Sequence, residues 1–169
     1  MSEVLSNPNG AHTTISTYVT GRDADGIPQV IGRQVVDTHR ADATILQGQA
    51  LMYVAPSATV PLSVTPMTAA VVTSDPWRFA GVALEGAVAG ENVKYCSQGF
   101  CEVLFDASST AAAYSLLNLP ATTTGEFDIA TDPADNVESA GWVLGAEIGS
   151  TDKCLAHIGV PYVRFEAGA

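Results

Sequence analysis

The chain has 169 residues, 47% of them apolar and only 15% charged, with a formal net charge of −11. At that length folding removes about two-thirds of the extended chain's surface from water, enough for one real core. Seven basic residues against 18 acidic ones exclude a partner held by phosphate neutralisation, so neither nucleic acid nor an anionic membrane is expected. The sparse charge leaves surface for contact with protein.

No segment reaches the roughly 18 uninterrupted apolar residues of a membrane span. Residues 1–8, MSEVLSNP, have neither a basic region nor an apolar run, so nothing there reads as a secretory signal and the expected compartment is the cytoplasm. Three cysteines are an odd number for a disulfide framework and read as thiols.

Residues 1–20 are polar and Thr-rich and read as an arm. Within it Thr13 to Thr20, TTISTYVT, is rich in β-formers that could add a strand to a neighbouring sheet edge. Asp25-Gly26 is a turn, and the domain runs from 21 to 169. IPQVIGRQVV (27–36) and ATILQG (43–48) read as two strands separated by the polar stretch Asp37 to Asp42. Leu51 to Val54 is a short strand. Pro56, Pro61 and Pro66 then forbid a central strand and predict an extended, edge-like course.

Phe79 to Leu84 reads as a buried strand, 85–92 as a loop, and Val93 to Cys96 as a strand that turns at Gln98-Gly99 into Phe100 to Phe105. Ser108 to Leu117 is the helix candidate, with a Ser or Thr cap and Pro120 beyond it. Residues 122–139 form a polar insertion around a strand at Glu126 to Ile129. Gly141 to Ile148 and Lys153 to Val160 form a terminal hairpin. Ala80-Gly81-Val82-Ala83-Leu84 is echoed by Ala140-Gly141-Trp142-Val143-Leu144, which two similar strand-loop-strand units in one barrel would explain. Turn signals at short intervals indicate a mainly β fold of barrel or sandwich type with one short helix.

Cys96, Cys101, Cys154 and His157 carry the inventory of a structural zinc site. Parity opposes it, because 154 and 157 on one strand point to opposite faces. Buried thiols are the expected state, with a Cys96–Cys101 disulfide as the alternative. A Cys–His nucleophilic pair using His12, His39 or His157 has no supporting motif, so neither enzyme activity nor a cofactor is expected. Asp23 and Asp25 lack the rest of a calcium loop. Asp128, Asp132 and Asp135 read as turn caps beside Pro133. Trp77, Arg78 and Phe79 suit either a subunit interface or a core plug, and Trp142, opening an apolar strand, is expected in the core. A carbohydrate-binding module would need an exposed platform, for which Trp77, Tyr53 and Tyr162 are the available rings.

The segment from Phe79 to Val93, FAGVALEGAVAGENV, with the glycine at 99 after it and Gly48-Gln49-Ala50-Leu51 before it, resembles the small capsid decoration, or cement, proteins of tailed bacteriophages, long catalogued as a domain of unknown function. The likeness spans roughly residues 44–160. It implies a small β-barrel or β-tulip-like, non-enzymatic protein that docks on the outside of the phage head and clamps neighbouring major capsid proteins, commonly as a trimer, with a dimer as the alternative. Extra N-terminal residues in such proteins often pair with capsid strands. On that basis His12, Thr13, Thr14, Ile15, Thr17, Tyr18 and Arg22 are the capsid-contact candidates, and Trp77, Arg78 and Phe79 the oligomer-interface candidates. The insertion at 122–139 and the three cysteines depart from the family pattern. A head fibre base or tail component is the alternative virion role.

Overall fold

The computed structural model describes residues 4–6, 12–22, 28–57, 61–130, 137–145 and 152–165. Among these the strands are β1 Val4–Ser6, β2 His12–Arg22, β3 Pro28–Ala41, β4 Ala50–Val54, β5 Ser63–Pro66, β6 Phe79–Ala83, β7 Asn92–Leu104, β8 Leu116–Asn118, β9 Asp128–Ala130, β10 Val137–Val143 and β11 Lys153–Phe165. One short helix, α1 (Ala69–Ser74), and a 3₁₀ turn (Pro76–Arg78) lie between β5 and β6. The mainly β class with a single short helix is as expected.

Five strands close a barrel. β3 pairs with β5 in parallel, β5 with β4, β4 with β6, β6 with β7, and β7 back with β3, the last four antiparallel. Its interior holds Ala41, Leu51, Val64, Ala83, Val93 and Tyr95, all buried. Alternation along β7 sends Val93 and Tyr95 into this interior. The same alternation puts Cys96 on the outer side, and the register shift between Val35 and Val36, which leaves Ser97 as the extra residue, then brings Cys101 and Val103 to that side too.

The second half of β7 serves a second ring. It pairs with β11, β11 with β10, β10 with β8, and β8 with β9, all antiparallel. A single parallel bridge, Phe105 to Phe127, joins the end of β7 to the start of β9. The order β5-β4-β6-β7 is thus repeated as β9-β8-β10-β11, with the two last strands side by side.

Individual hydrogen bonds repeat as well. Gly48 N donates to Ala83 O and Ala83 N to Gln49 O; Tyr114 N donates to Val143 O and Val143 N to Ser115 O. Asp42 N donates to Val64 O, as Asp106 N does to Phe127 O, and Leu84 N donates to Lys94 O, as Leu144 N does to Leu155 O. The Ala-Gly echo is the most legible trace of this repetition. A Cβ on Gly81 would strike the backbone carbonyl of Cys96, and one on Gly141 that of His157. Both glycines let the following strand cross at backbone contact. The units share β7 rather than one barrel.

Inward residues of the second ring, among them Cys101, Val103, Leu117, Phe127, Ala156 and Ile158, form one buried cluster with Ala50, Met52, Val82 and Cys96 from the outer side of the barrel. The second ring therefore covers the first. Phe79 and Phe127 meet edge-to-face across that junction, with centroids 6.2 Å apart.

Several expected elements differ. Residues 28–41 form one strand, because the polar stretch alternates and turns Asp37 and His39 toward Tyr95 and Val93 across the ladder. Residues 43–48 form a connection held by the Ile45–Ala87 bridge. Gly99 makes no hairpin: it sits inside β7 at φ 110°, paired with both Gln34 and Ile158. Ser108 to Leu117 is no helix. Asp106 caps the backbone N–H of Ser108 in a turn, and the chain reaches β8 through Tyr114 at φ 68°. The helix stands instead at 69–74, just past the proline-rich stretch, and within that stretch Ser63–Pro66 is no edge but a barrel strand paired with both β3 and β4. Residues 4–6 and 12–22 of the expected arm region are strands, β2 pairing with β3 from His12↔Thr38 to Arg22↔Pro28 and β1 ending the sheet.

Candidate functional site

The outer face of the second ring carries a row of side chains across four strands. Leu116 is opposite Trp142, Trp142 opposite His157, and His157 opposite Phe100. Trp142 stacks on the His157 ring at 4.3 Å and 14°, and Phe100 meets the other side of that ring edge-on at 4.8 Å. Trp142 is 44% exposed, which corrects its expected place in the core. Val143 faces inward, so its neighbour Trp142 faces out, and the irregularity between Ser139 and Gly141 lets Ala140 be buried although it has the parity of 142. Burial holds His157 below the ordinary imidazole range, and among the described residues its buried Nδ1 has no hydrogen-bond partner. Among the described residues, Lys153 and Glu102 on this face pair with each other, Nζ to Oε1 at 3.2 Å.

A second surface feature lies at the 3₁₀ turn. Trp77 is 65% exposed, whereas Phe79 is buried in the core. Arg78 donates from Nε (3.0 Å) and Nη2 (2.8 Å) to the carbonyl of Tyr53, tying the turn to β4. Of the three oligomer-interface candidates only Trp77 offers its ring to a partner. The capsid-contact candidates His12, Thr13, Thr14, Ile15, Thr17, Tyr18 and Arg22 all fall on β2; their side chains, like that of Tyr162, lie outside the described residues, as do Asp23, Asp25, Asp132 and Asp135 entirely.

Polar groups also converge within the barrel. Tyr95 hydroxyl and His39 Nδ1 are 2.8 Å apart, and Tyr53 hydroxyl is 3.2 Å from that of Tyr95. Burial lowers the His39 pKa, partly offset by Asp37, and burial with the Tyr53 contact drives that of Tyr95 far above the usual phenol range. The three groups form one hydrogen-bonded chain from His39 through Tyr95 to Tyr53, its donor and acceptor order set by the imidazole tautomer. This chain links β3, β7 and β4. Tyr53 is engaged there, so it does not join Trp77 in a carbohydrate platform.

Cys96, Cys101 and Cys154 are buried and none is in a disulfide. Cys96 and Cys101 belong to one continuous strand, not to facing arms of a hairpin, yet their thiols meet because the strand shifts register between them. The hydrogen bond to Cys96, then burial, raises the Cys101 thiol well above its ordinary pKa, the opposite of an activated nucleophile. His157 points to the other side of β11 from Cys154, as parity requires, so the four zinc candidates are not assembled. Among the described residues no three His, Cys, Asp or Glu side chains form a metal-binding group.

At the start of the second ring, Asp106 accepts from Ser108 N (2.8 Å), Ser108 Oγ (2.5 Å), Thr122 Oγ1 (3.1 Å) and Thr123 Oγ1 (2.6 Å), which depresses its pKa strongly. Asp128 caps Ala121 N at 2.6 Å, the turn role expected of it. Burial, then Asp106, Asp152 and Asp128, raises Glu126.

No family model matches the chain, and no curated protein matches it in sequence. A solved structure does: head fiber gp8.5 N base in bacteriophage phi29, with a TM-score of 0.53 and 13% identity over 77% of this chain and 98% of that one. The chain shares that fold.

Proposed function

We propose that this chain is a structural, non-enzymatic protein of a tailed-phage virion, attached to the outside of the head. The observation that carries the reading is the fold shared with a head fiber N base over nearly all of that solved chain. The local resemblance of residues 79–93 to capsid decoration proteins points the same way. The charge of −11 suits the exterior of a DNA-filled shell, since on the inside it would be repelled by packaged phosphate.

In this reading the protein acts as a decoration protein, clamping neighbouring major capsid proteins in many copies, after assembly in the host cytoplasm. Attachment runs through the N-terminal segment. β1 is the last strand in the sheet order, and its outer edge is suited to strand addition from a capsid protein. Many identical weak contacts over the shell then give firm attachment.

The fold likeness specifically favours a second role, the base on which a head fibre stands. Copy number separates the two: hundreds per particle for a clamp, far fewer for a fibre base. Quantitative mass spectrometry of purified virions reads it directly. A protein found with isolated tails and missing from heads would contradict both.

A further inference from the structure

We propose that the outer face of the second ring, centred on Trp142, is the surface by which this chain associates with a second copy of itself. The inference stands apart from the reading of head attachment and rests on the repetition within the fold. In the first unit Ala50, Val82 and Cys96 form a row across β4, β6 and β7. The glycine contacts and repeated hydrogen bonds place Leu116, Trp142 and His157 at the corresponding positions of the second unit.

The two rows have different fates. Ala50, Val82 and Cys96 are each 0% exposed, because the second ring packs over them. The corresponding row stays at the surface, with Trp142 44% exposed and Leu116, His157 and Phe100 half-buried. Leu144 and Leu155 flank it, also half-buried. A sheet apolar on both faces is the composition of a strand layer covered on both sides. In the first unit the cover comes from this chain's own repeat.

The first unit's cover, a repeat of this same chain, points to a second copy as the cover of the second row, and charge limits how it can dock. A basic partner would be drawn to the chain's excess of carboxylates and away from this face. Two copies, each at −11, repel unless they meet where no net charge faces the contact. Here, among the described residues, the flanking Lys153 and Glu102 already pair with each other. A row holding Trp, His and Phe also has the aromatic composition of interface centres.

Sedimentation of the full chain between about 1 and 100 μM tests this. Wild type is expected to associate, and Trp142→Lys to weaken association about 100-fold, as loss of a central anchor does, with an unchanged circular dichroism spectrum; Trp142→Phe should restore most of it. Independently of that substitution, Trp77→Phe leaves Trp142 as the remaining indole, whose emission should shift to the blue as concentration rises. A monomeric wild type, association untouched by Trp142→Lys in a folded variant, or emission independent of concentration overturns the proposal. A monomer that loses head binding on Trp142→Lys would assign the face to the capsid instead, and so also overturns it. A monomer that binds heads normally refutes self-association and leaves head attachment standing. An oligomer that ignores heads does the reverse.

Discussion

At Gly141 the distance between two strands is set by a missing methyl group. A Cβ there meets the carbonyl of His157, and neither backbone can withdraw without breaking the β10–β11 ladder. Gly141→Ala should cost about 2–3 kcal/mol, the upper range of overpacking effects, read as a lower urea midpoint. Tyr114 is the converse case. It is 82% exposed and left-handed at φ 68°, where the corresponding position of the first unit is Gly48 at φ 90°. Relief of about 1–2 kcal/mol of left-handed strain, less the entropy of glycine, should make Tyr114→Gly stabilising by about 0.5–1 kcal/mol, visible as a raised Tm.

His39 gives a pH dependence with a definite sign. Its folded pKa lies below the ordinary imidazole value of about 6.5 because burial disfavours the charged ring. Below about pH 6.5 the unfolded chain therefore binds more protons, so stability present at neutral pH falls as pH drops toward and through the folded value. His157 adds a contribution of the same sign. Urea melts between pH 7 and 5 should show this loss, and His39→Gln should flatten part of it. The strongly lowered Asp106 pKa acts in a lower window, its stability being lost as pH falls below the ordinary carboxylate range.

Among the elements, those readable in advance were the ones whose sequence pattern answers to a single environment. β4, β6 and β11 are legible because short apolar runs bounded by turns have few alternatives, whereas β10, expected over 141–148, runs over Val137–Val143 and begins inside the expected insertion. The pattern divides β7 into two strands, since Gln98-Gly99 has the chemistry of a hairpin turn and also that of a strand glycine at a close crossing. Only the partners on both sides of Gly99, Gln34 and Ile158, distinguish them. The Ser108–Leu117 stretch has helix composition, but its Asp106 cap and the closure of Phe105 onto Phe127 override propensity. The exposed row was missed for a related reason: Trp142 lies in an apolar strand whose outer face looks like an inner one. Its signal was present in the echo of Val82 by Trp142, a small buried residue against a large one.

At the scale of the molecule, two similar rings sharing β7 put buried side chains at the junction, leave the second ring's outer row at the surface and place β1 at the end of the strand order. Removal of residues 1–20 takes away β1 and most of β2, both outside the closed barrel. The truncated chain should keep its cooperative unfolding transition yet fail to cosediment with heads; undiminished cosedimentation would exclude the arm as the anchor. The account's central claim is attachment to the outside of a phage head. Cryo-imaging of heads from otherwise matched phage with and without this chain tests it most directly: surface density that disappears with the chain is predicted, and indistinguishable outer surfaces would contradict it.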